Sequence, residues 1–381
     1  MDACYCGHKE VPLGQSANSD FYPIILAGGR GTRFWPLSRK RRAKQLLPLN
    51  SARSMIQETV ERLEPLAPSQ RFWIISNQDL RDPIVQQLPD LDPKQVLAEP
   101  LGRNTAAAIG LAAFILERQD PTAVIGMFPS DHVISNEEAF RANVQQAVEI
   151  ASSGANIVVM GIPPTRAETG YGYIEVGRTS AQENLPVRRF VEKPPKKNAE
   201  EFVAAGNYFW NSGMFVWGAR TLADALREHL PNTAPVLEKI AASYETSEFA
   251  ATFAELYPKC ENISIDYAVL EPRSKKGEGM SGIYCIPAGF GWNDLGSWTA
   301  LYEHRQANDP KLDNVITSQQ NFALNASGNF VHSGKFVAVV GVNDLVVVET
   351  EDALLITTRE NAQDVGKVVA YLDSKKLTDL V

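Results

Sequence analysis

The sequence predicts an α/β fold: a mixed or mostly parallel sheet flanked by helices, followed by a small β-rich unit. Three observations carry this. Short apolar runs alternate with amphipathic or Ala-rich stretches from Phe21 to about Met160, the pattern of buried parallel strands joined by helices. Gly-rich and charged segments fall directly after those runs, where ligands of such sheets bind. Beyond Asp313, β-prone pieces recur roughly every ten residues, the spacing of a small all-β unit.

The elements follow in order. Residues 21–26 form an apolar strand that ends in Ala-Gly-Gly. Over 54–63, Met55, Ile56, Thr59, Val60 and Leu63 share one helical face. Residues 71–76 and 95–98 read as the second and third strands, the latter leading into Glu99-Pro100. Asn104-Thr105 can cap an Ala-rich helix running to about Arg118. A fourth strand spans 123–128, a helix 135–152 and a fifth strand 156–160. From Thr169 the texture becomes α+β, with strands at 172–176, 187–192 and 213–217 and helices at 198–205, 221–229 and 247–256. Strands at 336–340, 344–349 and 353–357 and a helix at 361–372 close the chain. The expected division is a flexible leader at 1–20, a catalytic unit at 21–312 and the β-rich unit at 313–381.

Composition narrows the function classes. The chain of 381 residues is 44% hydrophobic and 22% charged, the usage of a globular protein with a sizeable core. Its 37 Lys+Arg against 45 Asp+Glu give 37 − 45 = −8, unlike a bulk nucleic-acid binder. The longest apolar stretch, 106–116, is too short to span a bilayer, so no membrane partner is expected. Four cysteines are too few for a disulfide framework. Cys4-Tyr-Cys6-Gly7-His8 lacks a second ligand pair at zinc spacing and reads as a mobile tail. Residues 1–20 contain no apolar signal-peptide core, and the expected compartment is the cytoplasm.

The turn after the first strand is the most informative segment. Gly28, Gly29 and Gly31 let backbone amides approach a ligand closely. From Arg30 to Lys44 there are seven Lys/Arg in fifteen residues and no acid, within an acidic protein. A triphosphate cradled by amides and neutralised by Arg and Lys is the economical explanation. The dinucleotide fingerprint and the Walker A loop are both absent. Asp131, in Phe128-Pro-Ser-Asp-His132, follows the fourth strand and faces the same crevice; it could hold Mg²⁺ on phosphate oxygens or cap the helix at 135–152. A phosphate oxygen is already an anionic nucleophile, so His132 is assigned to orientation or packing rather than to general-base chemistry.

Gly-Gly-x-Gly-x-Arg, Pro-Leu-Ser-Arg and Lys44-Gln45 together resemble the sugar-1-phosphate nucleotidyltransferases, nearest to their guanylyltransferase branch. Ala43 stands where the family usually has proline, a change of loop stiffness rather than of chemistry. The resemblance implies a Rossmann-like nucleotidyltransferase sheet and a β-helix-like C-terminal unit that serves a homodimer. It implies GTP and mannose 1-phosphate as substrates and one or two Mg²⁺. Gly28, Gly29, Gly31, Thr32 and Ser130 would bind the nucleotide, and Glu99, Asn104 and Thr105 would read its base. Arg33, Lys44 and Lys193 would be catalytic. Asp131 and, from Gly291-Trp-Asn-Asp294, Asp294 would hold metal. Gly172, Glu192 and Asn211 would hold the sugar, with Asp266 of Ser264-Ile-Asp-Tyr267 a structural or site acid. About 60 residues follow the α/β part, so the short form without the isomerase unit of the longer bifunctional relatives is the expectation. Another sugar 1-phosphate or NTP, or a non-catalytic regulatory relative, are the alternatives; the intact Arg33, Lys44, Asp131, Lys193 and Asp294 argue against the last.

Overall fold

In the first strand, β1 (Phe21–Leu26), Ile24 and Ile25 are both fully buried but turn to opposite faces, so helices must cover the sheet on two sides. The computed structural model describes residues 20–177 and 184–381; the Cys4-to-His8 segment lies outside the described residues. Ile24 belongs to the core shared with the buried faces of α3 (Asn104–Gln119), α6 (Ala219–His229), α7 (Ala234–Ser243) and α8 (Phe249–Leu256). Ile25 belongs to the core shared with α1 (Met55–Leu63), α2 (Gln78–Gln87), α4 (Glu137–Ser152) and α5 (Lys196–Ala205). The eleven residues Ala106–Leu116 are all buried, as expected of a helix apolar on every side.

The sheet is mixed, within the expectation of a mixed or mostly parallel one. Its nine strands include β2 (Trp73–Asn77), β3 (Val96–Glu99), β4 (Val124–Pro129), β6 (Ile157–Ile162), β7 (Tyr173–Val176), β8 (Leu185–Val191), β9 (Tyr208–Gly218) and β10 (Ile283–Pro287). The order is β3-β2-β1-β4-β9-β6-β10-β8-β7. The first four strands run parallel, as the sequence alternation implies. β9, however, inserts antiparallel between β4 and β6 and separates the fourth and fifth strands. Local periodicity marks a strand but does not encode its partner. A two-strand ladder, β5 (Val133–Ile134) with β11 (Trp292–Asn293), draws the Asp131 and Asp294 turns together.

Among the described residues, four helices are not marked by the sequence pattern: α2, α7, α9 (Glu271–Ser274) and α10 (Trp298–Asn308). Pro83 lies inside α2 and disguises it, although Asn77 caps the helix by accepting from the Leu80 amide at 3.1 Å. The four-residue α9 follows a π-helical turn at Asp266–Leu270.

Toward the C-terminal end, β12 (Val315–Thr317), β14 (Phe330–His332) and β16 (Leu345–Glu349) pair in parallel, as do β13 (Asn321–Leu324) and β15 (Val337–Val340). Successive strands alternate between two sheets, the coil of a β-helix, which ends when β17 (Leu354–Thr358) turns back on β16. A short turn at Ala362–Val365 then leads into α11 (Gly366–Ser374). This unit shares a third core with the turn after β1. Trp298 stands between them, its ring 4.9 Å from Phe34 and 5.2 Å from Phe330. No helix of the described residues is long and apolar enough to cross a membrane.

Candidate active site

The carboxyl ends of β1, β3 and β4, with the 211–215 stretch of antiparallel β9, converge on a cavity of about 550 Å³, a size suited to a small-molecule ligand. Gly28, Gly29, Glu99, Asn104, Thr105, Gly172, Glu192, Asn211 and Asp294 line it, and so do Asp266, Tyr171, His132 and Trp292. Gly31, Thr32, Arg33, Lys44, Ser130, Asp131 and Lys193 lie around or beneath it rather than in its wall. Ser130 is buried, with its amide on the Leu26 carbonyl at 3.0 Å.

One end carries the turn after β1. Gly31 adopts φ +63°, and a Cβ there would collide with Lys44 Cβ, so the turn folds back on the lysine. Gly29 has nothing within 4 Å of where its Cβ would be; it faces open cavity. Glu99 accepts from the Tyr257 hydroxyl at 2.7 Å. Burial pushes the Glu99 carboxyl up, and the Tyr257 hydroxyl and Arg103 amide offset part of that. Asn104 does not cap α3 in the ordinary way. It stands at φ +62° with Oδ1 accepting from the neighbouring Thr105 amide at 2.9 Å, which leaves it exposed at the cavity mouth. Thr105 Oγ1 accepts from the Ile265 amide at 2.9 Å.

Beside the cavity lies a cation bridge. Buried Lys44 donates to Asp131 Oδ2 at 2.9 Å and to the Asp294 carbonyl at 2.5 Å. Desolvation would raise the Asp131 carboxyl, but the Lys44 ammonium, the neighbouring His132 and hydrogen bonds together outweigh it and hold the group below the usual carboxylate range. The helix-cap reading of Asp131 is overturned: α4 is capped by Asn136, whose Oδ1 accepts from the Ala139 amide at 3.0 Å. Tyr171 donates to Asp294 Oδ1 at 2.8 Å. Burial keeps His132 below its ordinary value, and its Nδ1 accepts from Trp292 Nε1 at 3.1 Å, an orienting contact in a neutral ring.

At the other end, Asn211 donates to Asp266 Oδ1 at 2.9 Å. The Glu192 side chain is 8% exposed; Oε1 pairs with Lys193 at 2.9 Å, while Oε2 is buried without a protein partner. A Cβ on Gly172 would come within 2.5 Å of that Oε2, so glycine keeps the carboxylate open to the cavity. Burial and then the Glu192 charge push Asp266 up to about 6. Lys193 is exposed at φ +45°, outside the wall.

Arg33 is exposed, with Nη1 donating to the Gly296 carbonyl at 2.9 Å and to Gln363 Oε1 at 3.0 Å. Sequence reasoning assigned no role to Tyr257 or Gln363. Tyr171 stood inside the Thr169-Gly-Tyr-Gly172 string, a signal that could have been read.

No group of three acidic, His or Cys side chains converges as a metal site among the described residues. Asp131 and Asp294 nonetheless offer hard oxygen donors on two turns that Lys44 ties together through the Asp131 carboxylate and the Asp294 carbonyl. That fits Mg²⁺ held by one or two carboxylates with substrate phosphates completing the shell.

The family description "Nucleotidyl transferase" matches residues 22–309, and "MannoseP isomerase/GMP-like beta-helix domain" matches 319–372. A putative mannose-1-phosphate guanylyltransferase of Vibrio cholerae is 38% identical over 93% of this chain and 75% of its own length. The mannose-1-phosphate guanylyltransferase of Escherichia coli is 38% identical over 93% and 74%. A Thermus thermophilus crystal structure, described as a mannose-1-phosphate geranyltransferase, superposes with a TM-score of 0.81 at 33% identity, covering 93% of this chain and 99% of that one.

Proposed function

Because the chain belongs to the nucleotidyl transferase family, we propose that it converts GTP and mannose 1-phosphate to GDP-mannose and diphosphate. One observation supports this most: a single cavity is lined by the glycine turn and by carboxylate and amide acceptors, and buried Lys44 ties together the Asp131 and Asp294 turns beside it. A hexose phosphate and a nucleoside triphosphate would meet with their phosphates near that lysine.

A phosphate oxygen of mannose 1-phosphate attacks the α-phosphorus in line, the bond to the β-phosphate oxygen breaks, and diphosphate leaves. No proton has to be removed from the nucleophile, so the protein's work is positioning and charge neutralisation. The Gly28, Gly29 and Gly31 amides, Thr32 and Ser130 would hold the triphosphate, and Lys44 and Arg33 would stabilise the charge that develops on it. Glu99, with Asn104 and Thr105, would accept from the N1–H and N2–H₂ edge of guanine. Glu192, Asn211 and the open backbone at Gly172 would hold the hexose hydroxyls, and Lys193 its phosphate. Asp131 and Asp294 would hold Mg²⁺, which when bound would neutralise phosphate oxygens between the two substrates. Units at 21–312 and 313–381, a homodimer and a cytoplasmic location complete the reading.

The test is diphosphate release across a panel of nucleoside triphosphates and sugar 1-phosphates. GTP with mannose 1-phosphate should give the highest kcat/KM. A clear preference for another pair would replace the substrates, and no release with any pair would end the enzymatic reading.

A further inference from the structure

The turn after β1 is gripped from below by the C-terminal segment. Trp35 Nε1 and Arg39 Nη1 both donate to the Leu380 carbonyl, at 2.8 and 2.9 Å, and the Lys40 amide donates to the Val381 carbonyl at 3.1 Å. Two arginines of the turn are neutralised by acids of this segment: Arg39 by Asp352 at 2.8 Å and Arg30 by Asp373 at 3.3 Å.

Arg33 is held differently. Both acceptors on its Nη1 are neutral, the Gly296 carbonyl and Gln363 Oε1. Gln363 lies in the turn Ala362–Val365, whose Ala362 and Val365 are buried in the third core. The next residue, Gly366, approaches so closely that a Cβ there would lie 3.3 Å from Thr32 Oγ1 and 3.8 Å from Arg33 Cγ. The arginine stem is therefore packed on the turn that presents the glutamine. Its head stands beside the candidate metal acid: a Cβ on Gly296 would be 3.2 Å from Asp294 Oδ2 and 3.4 Å from Arg33 Nη1.

We propose that Gln363 is a positioning residue of the phosphate site, fixing the Arg33 guanidinium beside Asp294 through an uncharged acceptor so that its charge stays available to a polyphosphate. This rests on the nucleotidyl-transfer reading and extends the site into the β-helix unit. The physical point is the choice of amide over acid. A carboxylate at this position would make a stronger, charge-assisted bond to Arg33 and cancel the field the phosphates need.

Gln363→Glu in the full chain tests this, because it preserves length, packing and the acceptor while adding a negative charge. Steady-state assays should show the KM for GTP raised about tenfold, that for mannose 1-phosphate unchanged, and a melting temperature equal to or above that of the parent. Gln363→Ala should give a smaller rise. A KM for GTP in Gln363→Glu equal to that of the parent overturns the proposal, since a merely structural glutamine tolerates glutamate. Calorimetric binding of inorganic tripolyphosphate separates this result from the activity itself. Parent binding that weakens in Gln363→Glu supports the proposal even where no GDP-mannose forms, and unchanged binding overturns it.

Discussion

Lys44 Nζ lies 2.9 Å from Asp131 Oδ2 and simultaneously on the Asp294 carbonyl, so one buried side chain from the first turn ties together the two acidic turns of the site. An ammonium so held cannot wander and needs no reorganisation when phosphate charge develops nearby.

Lys44→Gln should therefore lower kcat by about 10²–10³-fold, the range for loss of one preorganised charge donor. Asp131→Asn and Asp294→Asn should each remove most turnover at saturating Mg²⁺ while circular dichroism reports an intact fold. Near-normal rates in either aspartate variant would refute the metal assignment.

Tyr171 orients the second acid through its 2.8 Å bond to Asp294 Oδ1. Outer partners of metal-binding groups commonly contribute 10–100-fold in affinity, roughly, when removed. Tyr171→Phe is expected to raise the Mg²⁺ concentration for half-maximal rate by about tenfold, with kcat largely recovered at high Mg²⁺. A Mg²⁺ titration reads this directly; an unshifted midpoint would mean that the phenol only packs.

Gly29 and Gly31 sit two residues apart and should fail differently. Gly31 carries φ +63° and no room for a Cβ against Lys44, so Gly31→Ala strains the folded state by about 1–3 kcal/mol and lowers the melting temperature. Gly29 faces empty cavity, so Gly29→Ala should leave the melting temperature unchanged and raise the KM for GTP. Thermal melts beside steady-state kinetics distinguish the two.

The contrast between these glycines marks where the sequence was legible. Three glycines followed by basic residues are a local signal, and Gly28, Gly29, Glu99 and Asn104 do line one cavity. Asp131 and Asp294 were read from turns 163 residues apart, and the short β5–β11 ladder is what brings those turns together. What escaped depends on distant partners. The antiparallel insertion of β9 between β4 and β6 leaves no mark in its own residues. Tyr257 reaches Glu99 from 158 positions away, and Gln363 reaches Arg33 from 330. Neither residue type announces such a role, and only folding supplies the juxtaposition.

Asp266 links the proposed sugar end of the site to stability. Its carboxyl, near 3.8 when free, is pushed up to about 6 by burial and the Glu192 charge. Between those values the folded state holds a proton that the unfolded chain has lost, so stability falls as pH rises from about 4 to 6 and then levels off. Asp266→Asn cannot ionise and keeps an acceptor for Asn211. Relative to the parent it should gain melting temperature on going from pH 4.5 to 7.5, and an offset that does not change with pH would sink the assignment.

Glu99 carries the last prediction, because the bond from Tyr257 bears on the carboxylate that would face guanine. Burial raises the Glu99 carboxyl, and the Tyr257 hydroxyl at 2.7 Å partly restrains it. In Tyr257→Phe that restraint is lost, so the carboxyl rises further and protonates at a higher pH than in the parent. A protonated acid accepts poorly from guanine N1–H and N2–H₂. The KM for GTP should therefore climb toward acidic pH in both proteins, with the climb beginning at higher pH in Tyr257→Phe. ATP, which lacks those donors, should show no such displacement. A pH series of KM for both nucleotides decides it: parallel GTP curves for the parent and Tyr257→Phe would remove Glu99 from base recognition.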